Sequence, residues 1–124
     1  MSSPIGKRVL VVDDDADIRE TLSEVLSMAG YDVTPAANGR EALERLRAAP
    51  HDLVVLDLMM PVMTGWEFRE EQLRDASIAA VPVIVVSAAR APRPLSAAAT
   101  LPKPFDLQEI LDLAERFAGP PAAP

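Results

Sequence analysis

Short runs of consecutive apolar residues, each closed by a polar one, constrain this chain more than any other feature. Leu53-Val54-Val55-Leu56 ends at Asp57, Val9 to Val12 ends at Asp13-Asp14-Asp15, and Val83 to Val86 ends at Ser87. A run that is apolar at every position describes a strand covered on both faces, the usual state of strands in parallel sheets. Between the runs the spacing becomes helical. Ile18, Leu22, Val25, Leu26 and Ala29 make one stripe, Ala42, Leu43 and Leu46 a second, and Ile110, Leu111, Ala114 and Phe117 a third.

Two further strands complete the alternation. Tyr31 to Ala36 is one, and Pro35 confines it to a sheet edge because proline cannot donate a ladder hydrogen bond. The other is short, near Thr100-Leu101. Asp15 is placed to cap the first helix and Gly30 to end it in the left-handed conformation, while Asn38-Gly39 turns into the second. The segment from Trp66 to about Asp75 reads as a helix with a weak apolar stripe. Its polar run from Glu67 to Asp75 is expected to be a solvated face, with Trp66 a partly buried anchor and His51 a loop residue without a ligand role. Strands alternating with helices imply right-handed crossovers and a three-layer, doubly wound α/β domain. With Pro35 on an edge, the five-stranded order 2-1-3-4-5 follows.

Composition narrows the function. At 124 residues the chain suits one domain, expected over residues 7–118 with flexible tails at 1–6 and 119–124. A net charge of −7 argues against nucleic-acid binding, which relies on basic surface. No apolar run approaches a membrane span, the N-terminus lacks the pattern of a signal peptide, and the absence of cysteine fits a cytoplasmic protein. Only Pro120 to Pro124 follow the last helix, so no output domain is expected after it.

In the predicted order strands 1 and 3 are neighbours, which brings Asp13, Asp14 and Asp57 together at the carboxyl end of the sheet, where open α/β sheets bind ligands. Three close carboxylates repel one another and call for a cation. A hard divalent ion, Mg²⁺, fits best, held by Asp14 and Asp57 with Asp13 acting through water, and such an ion usually shares its site with a phosphate. Ser87 offers a hydroxyl and Lys103 a compact positive charge to that phosphate. A lysine, a hydroxyl and a metal around an aspartate favour attack of the Asp57 carboxylate on phosphorus, giving an acyl phosphate.

Taken together, Val11-Val12-Asp13-Asp14-Asp15, Leu56-Asp57-Leu58-Met59-Met60-Pro61-Val62-Met63-Thr64-Gly65, Val86-Ser87-Ala88 and Lys103-Pro104-Phe105 resemble the receiver domain of two-component response regulators, in the family's order and over nearly the whole chain. The resemblance implies a CheY-like, flavodoxin-like fold. It also implies that Asp57 takes a phosphoryl group from a sensor histidine kinase or histidine phosphotransfer protein. Mg²⁺ would be bound by Asp14, Asp57 and the Met59 carbonyl, and the Lys103-Pro104 bond would be cis. Signalling would pass to a protein target of unknown identity.

Two departures from the family pattern stand out. Only fifteen residues, Ala88 to Pro102, separate Ser87 from Lys103, so the family's fourth helix is expected to be shortened or missing. Thr100 stands where relatives usually carry an aromatic residue. These departures keep a second reading open, a phosphorylation-independent interaction module. A third, an aspartyl-nucleophile phosphatase of the haloacid dehalogenase type with Asp13 as nucleophile and Asp15 as acid, lacks a cap domain.

Overall fold

The computed structural model describes residues 6–87 and 96–121. Its elements are β1 (Arg8–Val12), α1 (Ala16–Met28), β2 (Asp32–Ala36), α2 (Gly39–Ala48), β3 (Leu53–Asp57), α3 (Gly65–Arg74), β4 (Val83–Ser87), β5 (Ala99–Pro102) and α4 (Leu107–Ala118). The five strands are parallel in the order β2-β1-β3-β4-β5, as the alternation and Pro35 require.

The two-sided apolar runs divide between two cores. Leu10, Val12, Val54, Leu56, Val83 and Val85 face α2 and α3, where Leu43, Leu46, Trp66 and Phe68 meet them. Val9, Val11, Leu53, Val55, Ile84 and Val86 face the other way, onto Leu22 and Leu26 of α1 and Ile110 and Ala114 of α4. Successive side chains of a strand point to opposite faces, so each core takes every second residue of the same run.

The helix ends follow their local chemistry. Asp15 accepts hydrogen bonds from the Asp17 and Ile18 amides at the start of α1, and Gly30, with φ 109°, turns the chain out of it. Asn38 caps α2. Thr64 with Glu67 and Asp106 with Glu109 form capping boxes at α3 and α4. Caps of this kind contribute about 1 kcal/mol each and fix where the preceding loops end.

The solvated face expected along α3 is present at Glu67, Glu70 and Arg74, which are exposed, but two residues of the same run depart from it. Phe68 and Gln72 are fully buried. Gln72 Nε2 donates to the carbonyls of Ile78 and Val81, both at 3.0 Å, and its Oε1 accepts from Arg69 at 2.7 Å. Arg69 Nε in turn donates to the Ser96 carbonyl at 2.9 Å. Gln72 is therefore a polar core residue whose hydrogen bonds hold the turn leading into β4.

Trp66 is buried, more deeply than a partial anchor. His51 does lie in the loop before β3, where Nδ1 donates to the Ala49 carbonyl and Nε2 accepts from the Thr34 hydroxyl. Burial lowers its pKa. The shortened or missing helix between β4 and β5 was expected in a stretch that includes residues 88–95, which lie outside the described residues.

Candidate functional site

The carboxyl ends of β1, β3, β4 and β5 meet on one side of the sheet. Asp13, one residue beyond β1, is buried and held on every side. Its amide donates to the Ala36 carbonyl at 3.2 Å, its carbonyl accepts from Arg19 at 2.8 Å, Oδ1 accepts from the Asp15 amide at 3.0 Å, and Oδ2 accepts from Lys103 Nζ at 2.9 Å. Asp14 is exposed. Asp57 closes β3 and is 5% exposed, with Oδ1 accepting from the Met59 amide at 3.4 Å and lying 3.7 Å from Lys103 Nζ.

One carboxylate oxygen from each of Asp13, Asp14 and Asp57 lies within 4.8 Å of the others. Burial, then the neighbouring Asp13 charge, pushes the Asp57 carboxyl up to about 6, against the opposing pull of Lys103 and the Met59 amide. Among the described residues one lysine serves two buried acids here, so negative charge is in excess. Hard oxygen donors in surplus, one of them on an exposed residue with room for water, fit Mg²⁺.

Ser87 ends β4 in the register position after the Asp57–Val86 pair. Its hydroxyl is buried with no hydrogen-bond partner among the described residues. The Lys103 amide donates to the Ser87 carbonyl at 2.9 Å, a bond that Pro102, lacking an N–H, cannot supply. The Lys103-Pro104 peptide is cis, as the resemblance implied.

The loop after β3 is shaped by Gly65 and Val62. The Gly65 amide donates to the Leu58 carbonyl at 2.9 Å, and a Cβ at Gly65 would lie 2.8 Å from Leu58 Cα and 2.9 Å from the Asp57 carbonyl. Only glycine permits that approach. Val62 takes φ 69° at the centre of a three-residue turn closed by a 2.7 Å bond from the Met63 amide to the Pro61 carbonyl, a strained conformation for a β-branched residue. Met59 and Val62 leave their side chains exposed beside the pocket. Across the site, Ile18, Leu22, Pro104, Phe105 and Leu107 line a mostly apolar groove of about 320 Å³ between α1 and the β5–α4 loop.

The structure thus brings together Asp13, Asp14, Asp57 and Lys103, with Ser87 and Met59 at the same end of the sheet. Asp15 does not join them as an acid, because its carboxylate caps α1. Arg19 is the residue that sequence reasoning missed. The one available signal was a basic side chain in the opening turns of α1, where the helix dipole favours acids. No helix among the described residues is long and apolar enough to cross a membrane.

Comparison with known proteins agrees with this geometry. The profile of the response regulator receiver domain matches residues 9–115. The response regulator MprA of Mycolicibacterium vanbaalenii is 44% identical over 110 residues, which is 84% of this chain and 47% of that protein. The probable transcriptional regulator ycf27 of Porphyridium aerugineum is 43% identical over 82 residues, 66% of this chain and 33% of that protein. The chain therefore spans about half the length, or less, of these curated relatives. Among solved structures, chemotaxis protein CheY4 of Vibrio cholerae superposes with a TM-score of 0.82 at 34% identity, covering 90% of this chain and 98% of that one. Response regulator protein TrrA of Thermotoga maritima, solved in complex with Mg²⁺ and BeF, gives a TM-score of 0.80 at 35% identity with the same coverage.

Proposed function

We propose, from the premise that this chain belongs to the response regulator receiver domain family, that Asp57 is its phosphoacceptor. The phosphodonor is a phosphohistidine on a sensor histidine kinase or a histidine phosphotransfer protein. A carboxylate oxygen of Asp57 forms the new O–P bond as the P–N bond to imidazole breaks, and the imidazole nitrogen leaves with the bonding pair. The carrying observation is Asp57 itself, a buried strand-end carboxylate 3.7 Å from a lysine that is anchored on a second acid.

The chain's own residues divide the work. Lys103 pairs with the incoming phosphoryl charge, and Ser87 supplies a hydroxyl that has no other partner among the described residues. Asp14, Asp57 and the Met59 carbonyl would hold Mg²⁺, with Asp13 acting through water, and the ion would neutralise charge on the phosphoryl oxygens. Exposed Met59 and Val62 on one side and the groove between α1 and Leu107 on the other give the donor protein apolar surface flanking the acid. The signal then leaves through protein contacts, in the cytoplasm.

One observation favours the second reading, an interaction module that works without phosphate. Thr100 is exposed on β5, where relatives usually carry a larger aromatic switch residue. Intact-protein mass after incubation with Mg²⁺ and acetyl phosphate separates the two. The receiver reading expects one phosphate adduct that needs Mg²⁺, persists in Asp13→Asn and is absent from Asp57→Asn. An adduct that survives loss of Asp57 but not of Asp13 overturns it. Absence of any adduct from folded protein, with either acetyl phosphate or a panel of phosphorylated kinases, moves the assignment to the interaction module.

A further inference from the structure

We infer that Arg19 is a positioning residue for the metal half of the site, an inference that rests on the receiver reading. Asp14 has no side-chain hydrogen bond or ion pair to any described residue, so nothing but its backbone aims its carboxylate into the pocket. The peptide unit that carries Asp14 begins at the Asp13 carbonyl. Arg19 donates to that carbonyl at 2.8 Å, from six residues further along the chain.

The other restraints on this corner act on the neighbouring peptides, upstream at the Asp13 amide and downstream at the Asp15 amide, or on the Asp13 side chain. The Asp13 amide is tied to Ala36, and the Asp13 carboxylate takes the Asp15 amide and Lys103. Among the described contacts, only Arg19 fixes the oxygen of the peptide plane from which Asp14 projects. The arginine also stands where local rules disfavour it. It lies in the opening turns of α1, at the positive end of the helix dipole, and makes no ion pair with a described carboxylate. A half-buried guanidinium placed against the dipole and spent on one carbonyl is explained by what that carbonyl holds.

Two effects of removing Arg19 oppose each other. Loss of a positive charge near the pocket favours a cation, whereas loss of the peptide anchor frees Asp14. The charge effect acts through solvent and is screened by salt. The anchor acts at hydrogen-bond distance, and removing a group that orients a ligand typically costs about 10–100-fold in metal affinity. The anchor therefore dominates at ordinary ionic strength.

The test is calorimetric titration of Mg²⁺ into wild type, Arg19→Ala and Arg19→Lys at 0.15 M salt, with amide spectra of the metal-free proteins. Arg19→Ala is expected to bind Mg²⁺ about tenfold more weakly. In the metal-free spectrum its Asp14 and Asp15 amides should shift while those of β3 and β4 stay in place. Arg19→Lys, which keeps one donor, should recover most of the affinity. Unchanged or tighter Mg²⁺ binding by Arg19→Ala overturns the inference. So does a loss shared equally by Arg19→Lys with the Asp14 amide unmoved. Failure of wild type itself to bind Mg²⁺ would instead strike the receiver reading, so the two failures are distinguishable.

Discussion

Lys103 Nζ is bonded to Asp13 at 2.9 Å and stands 3.7 Å from Asp57, so the pocket's lysine is held by one acid within reach of the other. The same ammonium occupies part of the field that a metal would use. Its replacement should therefore split two properties that are usually lost together. Lys103→Met should bind Mg²⁺ about twentyfold more tightly, since a unit charge roughly 4–5 Å from a divalent ion in a wet site is worth about 2 kcal/mol. Phosphorylation by acetyl phosphate should slow by about 10²-fold, the typical cost of one charge-stabilising donor. Titration calorimetry and the rate of mass-adduct formation measure the two sides.

Asp57 gives a pH dependence whose sign is the reverse of the usual carboxylate case. Its carboxyl is raised from near 3.8 to about 6 in the folded chain, so between those values the folded form holds a proton that the unfolded form has released. The contribution of Asp57 to the stability of the metal-free protein therefore falls as pH rises from about 4 to about 6 and levels off above. Asp57→Asn should flatten that slope and be more stable than wild type at pH 7, by the order of 1 kcal/mol or about 4 °C in Tm. Urea denaturation with EDTA at pH 4.5, 6 and 7.5 tests both statements. Mg²⁺ should reverse the trend, binding about tenfold more weakly at pH 5 than at pH 7 because the ion must displace a proton.

Gly65 and Gly39 both resist a side chain, but to different degrees. At Gly65 a Cβ would run into Leu58 Cα and the Asp57 carbonyl, backbone of the site itself. At Gly39 its nearest contact, at 2.8 Å, is Met63 Cγ on a flexible side chain, although the Met63 carbonyl lies at 3.0 Å. Gly65→Ala is expected to cost about 2–3 kcal/mol and to impair phosphorylation. Gly39→Ala should cost about 1 kcal/mol and leave phosphorylation near normal. Chemical denaturation and acetyl phosphate labelling of the two variants check the ranking.

Gln72 should behave as a core residue despite its polarity. Gln72→Leu removes the side-chain donor to both carbonyls, leaving Ile78 only its 3.2 Å bond from the Val81 amide, and is expected to destabilise by about 2 kcal/mol. Hydrogen exchange should speed up in residues 75–82 before it does in β1 or β3. An equal rise throughout the sheet would count against that local role.

What could be read from the sequence was whatever repeats or has a local chemical signature. The apolar runs, Asp15, Asn38, Gly30 and Pro35 each state their role within a few residues, and they sufficed for the strand order and for the meeting of Asp13, Asp14 and Asp57. Arg19 and Gln72 were illegible because their partners are backbone carbonyls, which every residue carries and no sequence marks. The burial of Phe68 and Gln72 was hidden for a related reason. On α3 the apolar stripe is interrupted by a glutamine that the core accepts only because three hydrogen bonds compensate it. The depth of Asp57, and hence its raised pKa, also follows from packing and not from pattern.

Pro35 does more than mark an edge. In β2 the Asp32 amide and the Ala36 carbonyl bond toward β1, so the even-numbered positions face the sheet and Pro35 faces outward. A second chain approaching that border finds no N–H at the outward-facing proline, in a strand of only five residues. Strand addition, the commonest route by which exposed sheet borders recruit one another into aggregates, is thereby discouraged on this side. Association along this border is left to side chains, whose contacts can be undone more easily than a shared ladder of backbone hydrogen bonds.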